Sequence, residues 1–377
     1  MSNRAWVATR KGLFVLQRGA GGAGGAWRIA RSSFLGEPVS AVLPPAAQGP
    51  QAGRMLAALN LGHWGVKMQA SDDAGQTWAE VAAPQYPPQP GRPEGEAAPL
   101  DPASHAEPEW KLVMVWALQA AHGTVWAGTL PGGLFRSADF GHSWHLVEPL
   151  WHRPERLEWM GGGYDVPGIH SICTHPQRSQ ELLLGLSCGG VWRSGDDAAT
   201  WQLSAAGMRA DFMPPERADD QNIQDPHCIV RCAAEPDKLW CQHHNGIWRS
   251  VDDGFLWQRI GTAPVSDFGF AVAVHPQHGD TAWFVPAKAD QCRVPLDGAM
   301  AVQRTRDGGQ SFEVLRRGLP QQDCHDLVYR HGLAVSEDGR SLLMGSTTGH
   351  LWSSDDGGDS WQLVQAHLPP IAAVSLG

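Results

Sequence analysis

One eight-residue pattern, Ser-x-Asp-x-Gly-x-x-Trp, recurs along the chain and constrains its fold more than any other feature. Four copies keep all four defining residues, and they start at Ser71, Ser137, Ser250 and Ser354. A fifth copy, starting at Ser194, has Ala198 in place of Gly, and a sixth, starting at Thr305, ends in Phe312. Successive copies start 66, 57, 56, 55 and 49 residues apart, which predicts a series of similar structural units.

Each copy of this octad predicts a tight turn between two strands. Ser and Asp side chains hydrogen-bond backbone amides of their own turn, Gly adopts a positive φ at low cost, and Trp packs against a neighbouring sheet. Short apolar strands precede the octads, such as 125–128 and 134–136 before the copy at Ser137. We interpret the unit as a four-stranded sheet, strands A to D, with the octad at the C–D turn. Evenly spaced units of this kind predict a β-propeller.

The two ends of the chain supply one more unit. Residues 5–30 contain strands B, C and D of a unit whose octad has become a Gly-rich turn at 19–25, and no strand A precedes them. The apolar run 371–376 follows the last octad, so we expect it to form the missing innermost strand. The prediction is an all-β, seven-bladed β-propeller of four-stranded antiparallel blades, closed by this C-terminal strand and forming a single domain over 1–377. The predicted blades are 1–34 with 369–377, 38–82, 111–149, 169–206, 227–262, 268–318 and 325–366.

The octad resembles the Asp-box, or BNR repeat. Over nearly its whole length the chain is similar to sialidase-like BNR-repeat propellers, including bacterial proteins labelled exo-α-sialidase or glycosyl hydrolase. This resemblance implies a hydrolase that holds a substrate carboxylate with three arginines and attacks with a Tyr–Glu pair, for which Tyr86, Tyr164 and Tyr329 are the tyrosines present. No arginine triad carries over, and seven predicted blades replace the usual six. The chain also resembles photosystem II assembly-factor and sortilin-type propellers, which bind proteins.

The amino-acid composition indicates which classes of partner and which cellular compartment we expect for this protein. The formal net charge is −10 and no basic run occurs, which argues against nucleic acid and membrane surfaces as partners. No stretch of apolar residues is long enough for a membrane helix, and no secretory signal is recognised at the start. Seven cysteines without a CxxC pair predict reduced thiols and a cytoplasmic location.

We expect the functional residues to lie in the parts of the chain that depart from the repeating unit. The long connections 79–110, 149–168, 205–226 and 286–301 all join strands D to A or B to C, so they share the face opposite the octads. The starts of A strands and the ends of B strands reach the mouth of the central channel on this face. The candidate residues there are His63, Trp64, His170, Asp225, His227, His244 or its neighbour His243, Lys288, Asp290, Arg293 and His325.

These residues suggest metal or acid–base chemistry. The candidate ligands of one divalent ion (Zn, Mn or Fe) are His63, His170, His227 and His244, because imidazoles from separate strands can share such an ion. The candidate catalytic residues are His170, His227, Asp225 and Arg293, and the further ligand-binding residues are His63, Trp64, His244, Lys288, Asp290 and His325. Arg293 or Lys288 would hold an anionic substrate group. The same polar mouth also suits a small-molecule site without metal.

The sequence leaves three functions open. The first is a propeller with a His-rich polar site that binds a small polar or anionic molecule, with a metal-assisted hydrolase or lyase as its catalytic form. The second is a sialidase-like exo-glycosidase. The third is a non-catalytic scaffold with a protein partner.

Overall fold

The computed structural model describes residues 3–19, 25–46, 52–90 and 107–377, and it confirms the seven-bladed β-propeller. Each blade is a four-stranded antiparallel sheet. The predicted Gly-rich turn at 19–25 and the middle of the 79–110 connection lie largely outside the described ranges. None of the helices within these ranges has the length and apolar character that a membrane crossing requires.

In every sheet except the first, the strands follow one another along the chain in the order A to D. The first two sheets contain β1 (Arg4–Thr9), β2 (Gly12–Arg18) and β3 (Trp27–Ser33), then β4 (Val39–Leu43), β5 (Met55–Asn60), β6 (Val66–Ser71) and β7 (Ala79–Val81). The third and fourth contain β8 (Met114–Ala121), β9 (Thr124–Leu130), β10 (Leu134–Ser137) and β11 (His145–Leu146), then β12 (Ile169–Thr174), β13 (Leu182–Leu186), β14 (Gly190–Ser194) and β15 (Gln202–Leu203). The fifth and sixth contain β16 (Pro226–Arg231), β17 (Leu239–His243), β18 (Gly246–Ser250) and β19 (Gln258–Ile260), then β20 (Gly269–His275), β21 (His278–Pro286), β22 (Val302–Thr305) and β23 (Glu313–Leu315). The seventh contains β24 (Leu333–Val335), β25 (Leu342–Gly345), β26 (Leu351–Ser354) and β27 (Gln362–Gln365), and β28 (Ile371–Leu376) returns to the first sheet.

Short helical segments occur only in connections among the described residues. They are the helix α1 (Glu148–Trp151) and four 3-10 turns at Gly62–Trp64, Pro154–Glu158, Gln221–Ile223 and Leu296–Gly298.

The innermost strands close into a ring. In order, β4, β8, β12, β16, β20, β24 and β28 each contact the next, and β28 contacts β4. β28 also pairs antiparallel with β1, so the C-terminal strand completes the first sheet as predicted. This closure leaves no sheet edge exposed toward a missing blade.

The octads form the turns that their residue types predict. In the copy at Ser137, the Ser hydroxyl accepts a hydrogen bond from the amide of Gly141 at 2.7 Å and donates one to Asp139 at 2.7 Å. Asp139 in turn accepts the amide of Ser143 at 2.9 Å. The same three bonds recur in the other five copies. The copy without Gly keeps this geometry, and Ala198 adopts a φ of 67°.

A feature that the sequence pattern did not predict is a β-bulge near the start of several innermost strands. Each bulge leaves one extra residue in strand A, and these residues include Ser40, Trp116, His170 and His227. A bulge re-aims the side chain of the extra residue and is common beside functional sites. The fold therefore re-aims one side chain near the start of these innermost strands, and that residue is Ser, Trp or His depending on the blade.

Candidate functional site

Asp225, His227 and His244 form a compact group at the channel mouth. One ligand atom from each residue lies within 4.8 Å of the other two. Asp225 precedes β16, His227 occupies the bulge of that strand, and His244 directly follows β17, its antiparallel partner. Because the start of one strand lies beside the end of its partner, two short chain segments bring all three side chains together.

Electrostatics keep the carboxylate of this group ionised. Burial alone raises the pKa of Asp225, but the neighbouring His227 and His244 side chains hold it well below its ordinary value. The Asp225 carboxylate also accepts the backbone amide of Cys188 at 3.2 Å. Burial lowers the pKa of His227, which favours the neutral imidazole.

The ring of His227 has a defined orientation. Its Nδ1 lies 2.6 Å from the carbonyl oxygen of Gly269, so Nδ1 carries the proton and donates it to that oxygen. In the neutral ring the Nε2 atom then carries a lone pair and no proton. This atom lies 3.5 Å from the Asp225 carboxylate. Phe270 stacks on the same ring with centroids 4.4 Å apart and holds its plane.

His244 is the most exposed of the three residues. Its Nδ1 lies 3.3 Å from Asp225, and 21% of its side chain is exposed, whereas the side chains of Asp225 and His227 are almost fully buried. Phe212 and Phe268 contact the His244 ring edge-on, with centroids 5.0 Å and 5.9 Å away. A small molecule would therefore reach the group past His244, between aromatic walls.

The predicted anion-binding arginine, Arg293, lies at the same mouth and is already paired. Its Nε donates to the Asp290 carboxylate at 3.0 Å. Its guanidinium also lies 5.2 Å from the centre of the Phe270 ring, the ring that stacks on His227. The pair Arg293–Asp290 thus borders the group without contacting its ligand atoms.

His170 lies in the channel wall. It occupies the bulge of β12, only 1% of its surface is exposed, and burial lowers its pKa well below the ordinary value. It does not belong to the group of three ligand atoms that includes His227 and His244.

The other predicted mouth residues are exposed and stay apart from this group. His63 and Trp64 sit on a 3-10 turn, where their rings contact each other at 4.5 Å and Trp64 is 73% exposed. Lys288 and His325 are exposed as well, and the part of the chain that the structure describes gives no contact from either side chain to Asp225, His227 or His244. The neighbouring His243 is buried, and its Nε2 accepts a hydrogen bond from the Asp225 amide at 3.1 Å, so it is not one of the three grouped ligand atoms.

Sequence reasoning missed Arg330. This arginine is 7% exposed, lines the central channel with His170 and His331, and stacks on Trp116 at 4.8 Å. The segment leading to β24 is irregular, and this places Arg330 in the channel instead of on a regular strand. The only sequence signal was an Arg-His pair where the other A strands carry mostly apolar residues.

Comparison with known proteins supports the fold alone. No protein-family model matches the chain, and no curated protein sequence matches it. An ancestral GH74 enzyme superposes with a TM-score of 0.57 at 16% identity, covering 90% of this chain and 38% of the enzyme. The chain therefore spans well under half of that enzyme.

Two structures of YCF48 are similar over most of their length. YCF48 bound to a D1 peptide gives a TM-score of 0.52 at 14% identity, covering 86% of this chain and 80% of YCF48. YCF48 from Cyanidioschyzon merolae gives 0.53 at 10% identity, covering 88% and 87%. At such identities a shared propeller does not transmit function.

Proposed function

We propose that this propeller binds one divalent transition-metal ion through Asp225, His227 and His244, and that the metal holds and activates a small polar or anionic molecule. The observation that carries the proposal is the convergence of three ligand atoms within 4.8 Å. Two imidazoles and one carboxylate are a donor set that suits Zn, Mn or Fe.

The tautomer of His227 supports a cation at this point. Its Nε2 lies 3.5 Å from the ionised Asp225 carboxylate, so this spacing requires either a proton on Nε2 or a cation between the two atoms. The carbonyl of Gly269, which accepts the Nδ1 proton, is the kind of partner that orients metal-binding histidines. The residues present therefore fit the metal.

Three protein ligands leave a coordination position for water or substrate. A metal ion held there would polarise a carbonyl group or lower the pKa of bound water, which is the chemistry of a metal-assisted hydrolase or lyase. The aromatic walls formed by Phe212 and Phe268 favour exclusion of bulk water from that position.

Metal titration tests this proposal. The protein is stripped with a chelator and titrated with Zn²⁺ and Mn²⁺ by calorimetry, with elemental analysis of the product. We expect one ion per chain, and at least about a hundredfold weaker binding in His244→Ala, since removing one of three ligands leaves an incomplete site. His244 is partly exposed, so this variant should keep its fold.

The matched control is His145→Ala, which removes an exposed imidazole on the short strand β11. Unchanged metal affinity in His145→Ala together with the loss in His244→Ala supports the assignment. Equal affinity in both variants, or no stoichiometric binding in the unmodified protein, contradicts it.

A protein partner is the second candidate function, and a specific observation favours it. Trp64, Tyr164 and Phe212 are all exposed, and all lie in connections on the face that carries the mouth. Exposed aromatic side chains are typical of interface centres. The structure of YCF48 with a D1 peptide gives a precedent for peptide binding by a propeller of this kind. A partner that copurifies with the protein and is lost with Trp64→Ala would support this function, whereas a partner retained by Trp64→Ala and Phe212→Ala would contradict it.

A further inference from the structure

The central channel encloses a cavity of about 390 Å³. Residues from all seven innermost strands line it, among them Ala41, Trp116, Ser171, Cys228, Val272, Leu333 and Ala373. Most of this lining is apolar or already hydrogen-bonded, as Ser171 is to the amide of Ile229 at 2.9 Å. Among the described lining residues, three buried nitrogen atoms lack such partners, namely Nε of Arg330, Nε of Arg231 and Nε2 of His170. The guanidinium of Arg231 is nevertheless paired with Asp253, whereas that of Arg330 has no carboxylate partner in the described part of the chain.

Arg330 presents an unpaired positive charge to this cavity. The residue is 93% buried, since its exposed fraction is 7%, and its Nε has no hydrogen-bond partner. Across the described residues, no carboxylate or carbonyl oxygen accepts a hydrogen bond from its guanidinium, which instead lies over the ring of Trp116 at 4.8 Å and that of Phe270 at 5.5 Å. Arginine stays protonated in proteins, so this burial is costly unless an anion pairs with it.

His170 places an unpaired ring nitrogen next to the same cavity. Its Nδ1 lies 2.9 Å from the hydroxyl of Ser171. The same hydroxyl oxygen accepts the amide of Ile229 at 2.9 Å. Nε2 is buried and has no partner.

The two unpaired groups flank one aromatic ring. The His170 ring centre lies 5.4 Å from the Trp116 ring centre, and the Arg330 guanidinium covers the same ring at 4.8 Å. The Asp225 carboxylate is near enough to act on the charge of Arg330. The cavity therefore offers one positive charge beside Trp116, within electrostatic reach of the Asp225 carboxylate.

We propose that Arg330 binds the carboxylate of a small organic acid in the central channel, beside His170 and Trp116. The planar guanidinium matches the two oxygens of a carboxylate. One arginine charge with a neutral histidine suits a monoanion, and the nearby Asp225 disfavours a dianion such as inorganic phosphate. This inference rests on the proposed function in one respect, since it names a small organic acid as the molecule whose other oxygen groups reach the metal ligands.

The test uses acetate and pyruvate as probes and inorganic phosphate as the competitor of different charge. Calorimetry and Trp fluorescence are recorded on metal-free and zinc-loaded protein at constant ionic strength. We expect acetate or pyruvate to bind both forms, and to bind at least tenfold more weakly to Arg330→Gln and Arg330→Lys. The matched control is Arg28→Gln, which removes the same charge from an exposed position on β3 and should leave carboxylate binding unchanged.

Melting temperatures provide a second test, because they show whether the Arg330 variants remain folded. Arg330→Met removes an unpaired buried charge, so its melting temperature without ligand should equal or exceed that of the unmodified protein, and acetate should raise the melting temperature of the unmodified protein only. The proposal is overturned if neither acid binds, if binding is the same in the Arg330 variants, or if phosphate binds more tightly than acetate. Zinc binding and carboxylate binding measured on the unmodified protein separate the two proposals. Zinc binding without carboxylate binding overturns the channel site alone, and carboxylate binding without zinc binding overturns the metal centre alone.

Discussion

Val374 of β28 lies directly opposite Val7 of β1 in an antiparallel ladder. The same β28 contacts β24 and β4, the innermost strands of the two flanking blades. One strand thus joins the last part of the chain to the first and holds the ring of seven blades closed.

Loss of this strand should open the ring. Ile371 is 3% exposed and packs in a core with Leu343 and Leu351, so Ile371→Ala should lower the free energy of unfolding by about 2–5 kcal/mol. Deleting residues 370–377 should destabilise far more, because it leaves β1 as an unpaired edge. Urea unfolding measures both. Leu363→Ala, at a side chain that is 53% exposed, is the control and should change stability by less than about 0.5 kcal/mol. A truncated protein that melts like the full chain would rule out the closure.

Neighbouring blades are also tied together by a buried carboxylate, that of Asp253. It lies 2.6 Å from Arg193 and 2.8 Å from Arg178, both from the preceding blade, and it pairs with Arg231 of its own blade. Asp253→Asn should cost about 3–5 kcal/mol of unfolding free energy, because buried guanidinium groups lose their counter-charge. Asp237→Asn removes an exposed carboxylate 3.8 Å from Arg178 and should cost little. Similar losses in the two variants would show that the network does not stabilise the fold.

The octad at Thr305 should make stability depend on acid pH. Hydrogen bonds from the side chain and amide of Ser311 lower the pKa of Asp307 from 3.8 to about 2. A folded-state pKa below the unfolded value means that the unfolded chain binds more protons, so this contribution is complete above about pH 4 and is lost as the pH falls toward 2. The stability difference between the unmodified protein and Asp307→Asn should therefore shrink between pH 5 and pH 3 in urea titrations. A difference that stays constant over that range would contradict the assigned role of the carboxylate.

We expect no appreciable release of sialic acid from aryl or oligosaccharide sialosides. At the described channel mouth Arg293 is already paired with Asp290, and Arg330 lies deeper, so no arginine triad is available for the substrate carboxylate. The Tyr164 hydroxyl lies 3.9 Å from the Met114 sulfur. Fluorogenic and oligosaccharide sialosides provide the assay. Robust turnover that disappears in Tyr164→Phe would instead establish a sialidase-like glycosidase.

The fold was predictable from the sequence because its repeating element is local. Each octad, such as that at Ser137, makes its hydrogen bonds within one turn, so residue type and spacing suffice to identify it. The grouping of Asp225, His227 and His244 followed from topology, since the start of β16 must lie beside the end of β17.

The direction in which a side chain points was not predictable at strand ends. His63 has the same topological position as His244 but lies on an exposed 3-10 turn, and the bulges that re-aim His170 and His227 leave no pattern in the sequence. The sequence did not predict Arg330 as a channel residue, because its burial depends on an irregular segment before β24 that strand periodicity does not describe.

Anomalous diffraction at the zinc edge, on crystals of the full chain grown with Zn²⁺, tests the central claim most directly. The account predicts one strong peak per chain, about 2.0–2.2 Å from Nε2 of His227, Nδ1 of His244 and a carboxylate oxygen of Asp225. It also predicts the absence of that peak in crystals of His244→Ala. No peak at these three atoms, or a peak bound only at exposed histidines such as His63, would contradict the account.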